Sequence, residues 1–267
     1  MISRCLILFL FLIHGLSYAQ TFIIAHRGAS SLAPENTLAS VKKAIDLKAD
    51  FIEVDVHLTK DQQIIVCHDE NLKRTTGKNI LIKNAEYSEI KQLDAGSWFS
   101  PEFKGEKIPL LEEVIKLING NCKLLIEIKK GSETYPGIEK LVLELIKQLK
   151  AEDFCLIHTF AQAAVFTWNS FNSNIPVSYL KVSGPFKIWK NKLMHSRMAP
   201  DSVHCYSNNY YYRFVTKRFV RKLHANNQKI FVWTVNNKRA MRRMLRAGVD
   251  GIITNKPQLL KIINELN

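Results

Sequence analysis

The chain has 267 residues, 46% hydrophobic and 23% charged, with 38 Lys and Arg against 24 Asp and Glu and a formal net charge of +14. That balance excludes a disordered or collagen-like chain and supplies enough apolar side chains for one large core or two small ones. The apolar run at 5–13 is far short of the roughly 20 residues a membrane span requires.

In chain order, Ser3-Arg4, the apolar run and Ser17-Tyr18-Ala19 have the basic, apolar, small-residue order of a signal peptide. Residues 1–19 are therefore expected to be removed and residues 20–267 exported, to a periplasm or the medium, as a single domain. A lipid anchor would need Cys where Gln20 stands. Cleavage removes only Arg4 from the charge count, leaving +13. Cys67, Cys122, Cys155 and Cys205 remain, without CxxC spacing. They are compatible with two disulfides outside the cell, but Cys67, Cys122 and Cys155 lie in or beside apolar strand-like runs, which favours small buried hydrophobes.

Short β-branched runs predict strands at 22–25, 51–57, 64–67, 123–128, 154–158, 177–180, 203–206, 230–235 and 251–254. Helical periodicity falls between most of them, at 38–47, 111–118, 138–149 and 241–245 among others. Alternation of this kind implies parallel strands with crossover helices, and the length suits an α/β fold of the (β/α)8 TIM barrel type. The polar, turn-rich stretch at about 69–109, with Trp98, Phe99 and Phe103, breaks the rhythm. It is expected to be a small insertion after the second strand, packed over one end of the barrel.

Strand parity organises the chemistry. Glu53 and Asp55 are two apart, so both carboxylates face one side while Val54 and Val56 face the other. Two inward carboxylates repel unless a cation lies between them, and their oxygens suit Ca²⁺ or Mg²⁺. Glu127 and Lys129 repeat the spacing on another strand. Glu127 would complete the metal site and Lys129 would meet a phosphate, or all four would form a salt-bridged lining without metal. His26 and His68 each follow an apolar run, and two near-neutral imidazoles can divide acid and base roles. Arg27 offers bidentate donors to a phosphodiester. His57 shares the inward parity but has no such company, and a structural role is expected.

The segment HRGASSLAPENTLASVKKAIDLKADFIEVDVHLTKDQQIIVCHDENLKRTTG resembles the signature of the glycerophosphodiester phosphodiesterase family. The likeness continues through LDAGSWFSPEFKGEKIPLLEEVI, LIEIK, VWTVN and AGVDGIITNKP. It implies a TIM barrel that hydrolyses glycerophosphodiesters to an alcohol and glycerol 3-phosphate. It also implies His26 and His68 as the acid/base pair, and Glu53, Asp55 and Glu127 holding Ca²⁺ or Mg²⁺. Arg27 and Lys129 would bind phosphate, with Glu35 in the same polar site. Trp233 would wall the glycerol pocket or pack in the core. His158-Thr159-Phe160 stands where the family often has Ser-Phe, and Asn255 where Asp before Lys-Pro is usual.

From Lys181 to Arg246 there are 16 Lys and Arg and one acid, Asp201. Arg239, Arg242, Arg243 and Arg246 form one helical stripe, and Lys217, Arg218, Arg221 and Lys222 a second patch. Such a surface would contact anionic membrane headgroups or would only be a solvated exterior. No nucleic-acid partner is expected, because no binding module accompanies the charge. Two rivals remain: a lysophospholipase-D-like activity, which an apolar channel beside the insertion would favour, and a surface binding or adhesion protein that kept the fold.

Overall fold

The computed structural model describes residues 21–181 and 206–265. Nine strands form one sheet: β1 Phe22–His26, β2 Phe51–Leu58, β3 Ile64–Val66, β4 Lys123–Ile128, β5 Cys155–Thr159, β6 Val177–Lys181, β7 Asn208–Tyr211, β8 Ile230–Trp233 and β9 Gly251–Thr254. Their order is β1-β9-β8-β7-β6-β5-β4-β2-β3, and β1 also pairs with β2. That last pairing closes eight parallel strands into a barrel, as the alternation of patterns implies. The strand β3 stays outside the barrel, antiparallel to β2, so the insertion follows a hairpin and not the second strand directly.

The strand expected at 64–67 is present as β3, folded back on β2 with Val66 beside Val56. The strand expected at 203–206 falls almost wholly outside the described residues, and β7 runs from Asn208 to Tyr211. Asn208-Asn209 has poor strand propensity, yet Asn209 is fully buried inside the barrel and Tyr210 packs outward on the helix layer. Tertiary hydrogen bonding overrides local preference there.

Parity divides the barrel strands into two faces. Val54, Val56, Ile126, Ile128, Ile157 and Val177 face outward, into a core shared with the surrounding helices. The inward residues change character along the axis. Near the strand N-termini Ile24, Phe51, Leu125, Leu156, Phe231 and Ile253 plug the barrel, and Phe22, Phe51 and Phe231 meet edge to face. Above this plug, on the C-terminal side, the inward residues are polar: Glu53, Asp55, Glu127, His158, Ser178 and Asn209, all buried.

The insertion has a small core of its own, with Leu72, Ile82, Ile90, Ala95 and Ile108 packed on Ile65 and Cys67. Its tight loop is organised by Asp94, whose carboxylate accepts from the backbone N–H groups of Gly96, Ser97 and Gly105. Trp98, Phe99 and Phe103 stack edge to face beside it. Cys67, Cys122 and Cys155 are free thiols; Cys205 and the expected signal peptide lie outside the described residues.

Candidate active site

Two turns built by unusual backbone bring the site together. Arg27 and Gly28 leave β1 in the left-handed region, with φ of 56° and 76°. Gly28 is required twice over, since a Cβ there would lie 2.6 Å from the Ser40 carbonyl carbon and positive φ disfavours L side chains. The turn aims the Arg27 N–H at Glu53 Oε2, 2.8 Å away. Asn36, also left-handed at φ 57°, donates from Nδ2 to Asp55 Oδ2 at 2.8 Å. Thr37 then caps the helix Leu38–Asp46 in a capping box with Ser40.

Register places the carboxylates level with one another. His26 pairs with Glu53, Asp55 with Glu127, Glu127 with His158, and His158 with Ser178. Lys129 Nζ bridges Asp55 Oδ1 at 2.8 Å and Glu127 Oε1 at 2.5 Å, and Arg27 Nε lies 3.4 Å from Asp55 Oδ2. Burial opposes the Asp55 charge, but Lys129 and Arg27 outweigh it and hold this carboxyl well below the usual range. Burial, and then the charge of Asp55, push Glu53 up to about 7. Burial also raises Glu127 to about 7, against the pull of Lys129.

The two histidines have different partners. His26 Nδ1 is 2.6 Å from Asn255 Oδ1, which can only accept, so the proton sits on Nδ1 and the Nε2 lone pair is free. Nε2 lies 3.9 Å from Glu53 Oε2. Burial lowers the pKa of His26 and that of His68. His68 Nδ1 is 2.6 Å from the carboxylate of Asp69, which favours the imidazolium. His57 is held at both ring nitrogens: its Nδ1 meets the Tyr135 hydroxyl at 2.8 Å and its Nε2 donates to the His68 carbonyl at 3.0 Å.

Arg74, which the motif reading missed, ties the two sides together. Its Nε donates to Asp69 at 2.6 Å and its two terminal nitrogens donate to Glu35 at 3.0 and 2.7 Å. Glu35 in turn accepts from Arg27 at 2.9 Å. Arg74 reaches over from the insertion and lies 5.8 Å above the Trp98 ring. Trp233 stands at the end of β8 between Phe160 and Tyr211, with ring centroids at 5.3 and 5.6 Å. It is half-buried, and its Nε1 has no hydrogen-bond partner.

The arrangement fits a dication. Besides the imidazoles of His26, His68 and His158, Glu35, Glu53, Asp55, Asp69 and Glu127 face Arg27, Arg74 and Lys129, two fewer Lys and Arg than carboxylates. Glu53 and Glu127 are the two in which burial outweighs the neighbouring cations and raises the pKa. Glu53 Oε1 and His158 Nε2 are buried without a hydrogen-bond partner, 3.4 Å apart. Among the described residues, one donor atom each from Glu53, Glu127 and His158 lie within 4.8 Å of one another. Asp55 sits beside this group, its oxygens engaged by Lys129, Asn36 and Arg27. Burial lowers His158 to about 4. The site opens into a cavity of about 1150 Å³, lined by His68, Asp69, Arg74, Glu127, Lys129 and Phe160 among others.

Residues 26–259 match the model of the glycerophosphoryl diester phosphodiesterase family. The chain is 40% identical over 242 residues to a glycerophosphodiester phosphodiesterase of Caldanaerobacter subterraneus subsp. tengcongensis, covering 90% of this chain and 96% of that one. It is 36% identical over 250 residues to one of Bacillus altitudinis, covering 92% and 100%. Among solved structures it is similar to an Oleispira antarctica phosphodiesterase in complex with the product sn-glycerol-3-phosphate, at 28% identity and a TM-score of 0.81, covering 92% and 97%.

Proposed function

As the chain belongs to the glycerophosphoryl diester phosphodiesterase family, we propose that it hydrolyses glycerophosphodiesters to an alcohol and sn-glycerol 3-phosphate, with a divalent cation and a His26/His68 acid–base pair. The observation that carries this reading is the pairing of two unlike imidazoles with a group of buried metal-ligating side chains on one barrel face.

Arg27 and Lys129 are the cations that receive the phosphate, Arg27 as a planar fork and Lys129 as a point charge. Glu35 and Arg74 hold the Arg27 guanidinium from its far side. His26, with its proton fixed on Nδ1 by Asn255, accepts at Nε2 the proton of the substrate's own glycerol hydroxyl as that oxygen attacks phosphorus. A tethered nucleophile has a large effective molarity. His68, stabilised as imidazolium by Asp69, gives its proton to the departing alcohol. In the second half the roles reverse, water opening the cyclic phosphate. A cation held by Glu53 and Glu127, with Asp55 beside them, would supply positive charge to the phosphoryl oxygens. The carboxylates alone form a hard oxygen set suited to Ca²⁺ or Mg²⁺. Trp233, with Phe160 and Tyr211, forms the aromatic wall against which the glycerol carbons pack.

A lysophospholipase-D-like activity has less support. The insertion faces the cavity with the polar residues Asp69, Glu70, Asn71, Lys73, Arg74 and Asn79, which suit a polar leaving group better than an acyl chain. A pure binding protein would have no use for the two oriented imidazoles.

The reading includes export, on the N-terminal pattern, and contact with anionic membrane surfaces. Support for that contact comes from the neighbouring helices Lys217–His224 and Lys238–Ala247. Lys217, Arg218, Arg221 and Lys222 on one, and Arg239, Arg242, Arg243 and Arg246 on the other, are all exposed. Liposome sedimentation tests it: the protein should pellet with anionic vesicles at low salt and be released as salt screens the charge. No binding at low salt refutes it. Turnover of glycerophosphocholine, with and without EDTA, tests the catalytic reading.

A further inference from the structure

His158 is 2% exposed inside the barrel, and the acid–base scheme leaves it without a task. Its Nε2 and the facing Glu53 Oε1 are both buried and without a hydrogen-bond partner, although they stand 3.4 Å apart. Native interiors rarely leave such atoms unpaired without an ion or water between them. With one oxygen of Glu127 they form a triangle no wider than 4.8 Å, a span that one ion can bridge. Asp55 Oδ1 also lacks a hydrogen-bond partner, but it is ion-paired with Lys129 Nζ at 2.8 Å, and Asn36 Nδ2 donates to Oδ2 at 2.8 Å.

We infer that His158 Nε2 is a direct ligand of the divalent cation, together with Glu53 and Glu127, and that this nitrogen turns the site away from Ca²⁺ and towards Mn²⁺ or Zn²⁺. The inference rests on the metal-dependent reading above and revises the ion that the carboxylates alone would select. Ca²⁺ takes oxygen ligands, whereas imidazole suits first-row transition ions and Zn²⁺.

The surroundings of His158 can supply the required tautomer. Nδ1 lies 3.5 Å from Asn209 Nδ2. Asn209 Oδ1 accepts from Ser207 Oγ at 2.8 Å, and Ser207 Oγ meets Ser178 Oγ at 2.9 Å with either atom able to donate. A half-turn of the Asn209 amide, whose two ends are nearly the same size, lets Oδ1 accept the Nδ1 proton. Nδ2 then donates to Ser207, which donates to Ser178. The Nε2 lone pair is thereby exposed, and the imidazole gains the kind of hydrogen bond that orients histidine ligands at metal sites. Asn209, Ser207 and Ser178 are completely buried, so no water competes for these bonds.

The test uses the full chain freed of metal, then titrated calorimetrically with Mn²⁺, Zn²⁺, Mg²⁺ and Ca²⁺, and pulsed EPR of the Mn²⁺-loaded protein. Wild type should bind Mn²⁺ and Zn²⁺ more tightly than Ca²⁺ and show the ¹⁴N coupling of a directly bonded imidazole. His158→Ser should lose that coupling and weaken Mn²⁺ binding by about tenfold or more, with a smaller change for Ca²⁺. If His158→Ser does not fold, His158→Gln, which fills the space and keeps polarity, carries the same expectations. Mn²⁺ binding without ¹⁴N coupling in wild type, or coupling that persists in the variant, overturns the role of His158 and leaves the metal-dependent reading standing. Failure of all four ions to bind overturns both.

Discussion

Replacing Asp69 with asparagine isolates the charge behind His68. The His68 Nδ1 to Asp69 Oδ1 bond is 2.6 Å long and joins side chains that are 33% and 32% exposed. A hydrogen bond to a charged group contributes about 1.5–3 kcal/mol, and partial exposure puts this one near the lower end. Asparagine keeps the shape and still offers an accepting oxygen, so the tautomer survives and only the stabilisation of the imidazolium is lost. A loss of about 1.4 kcal/mol in the transition state lowers kcat about tenfold, with KM little changed because Asp69 acts through His68. Burial lowers the His68 pKa and the hydrogen bond to Asp69 works against it, so weakening that bond also moves the alkaline limb of the kcat profile to lower pH. Steady-state release of sn-glycerol 3-phosphate from glycerophosphocholine measures both effects. A variant with wild-type kcat and an unmoved pH profile would refute the assignment of His68 as the acid.

Gly28→Ala should destabilise the protein by at least about 2 kcal/mol, from positive φ and overlap with Ser40 together; an unchanged denaturant midpoint contradicts this. Lys129→Met leaves Asp55 and Glu127 without their shared cation, and breaking a buried pair of this kind costs about 3 kcal/mol or more. Equilibrium unfolding in urea checks it. In the metal-free protein Glu53 and Glu127, with folded pKa values of about 7 against 4.5 unfolded, contribute stability that is lost as pH rises from about 4.5 to about 7, while His57 and His158, lowered to about 4, contribute stability gained over much of that window. Thermal melts of wild type and Glu53→Gln across pH isolate the carboxyl: wild type should lose stability relative to the variant as pH rises. A difference in melting temperature between the two that does not change from about pH 5 to 7.5 contradicts the raised value.

Much of the site is legible in the sequence because a strand's period of two is visible without a structure. Glu53 with Asp55, and Glu127 with Lys129, announce an inward polar face within otherwise apolar runs. His26 and His68 are legible as the first polar residues past such runs. Arg74 is not, because it comes from an insertion without periodicity and meets Asp69 and Glu35 only once the turn at Arg27 is formed. Asn36 and Asn255 act through amides, which carry no charge pattern to read. His158 offered a usable signal, an imidazole closing the apolar run before it, beside the strand that bears Glu127. In the fold, the strand at Asn208–Tyr211 was obscured because its inward residue is an amide held by a buried network, against its own local propensity.

The most direct test of the account is turnover of glycerophosphocholine and glycerophosphoethanolamine by the purified protein, before and after EDTA, with His26→Ala as the reference. The account predicts release of sn-glycerol 3-phosphate that EDTA abolishes and a divalent cation restores. It also predicts that His26→Ala lowers the rate by about 10²–10⁴. Turnover that is undiminished in EDTA, or unaffected by loss of His26, would contradict it.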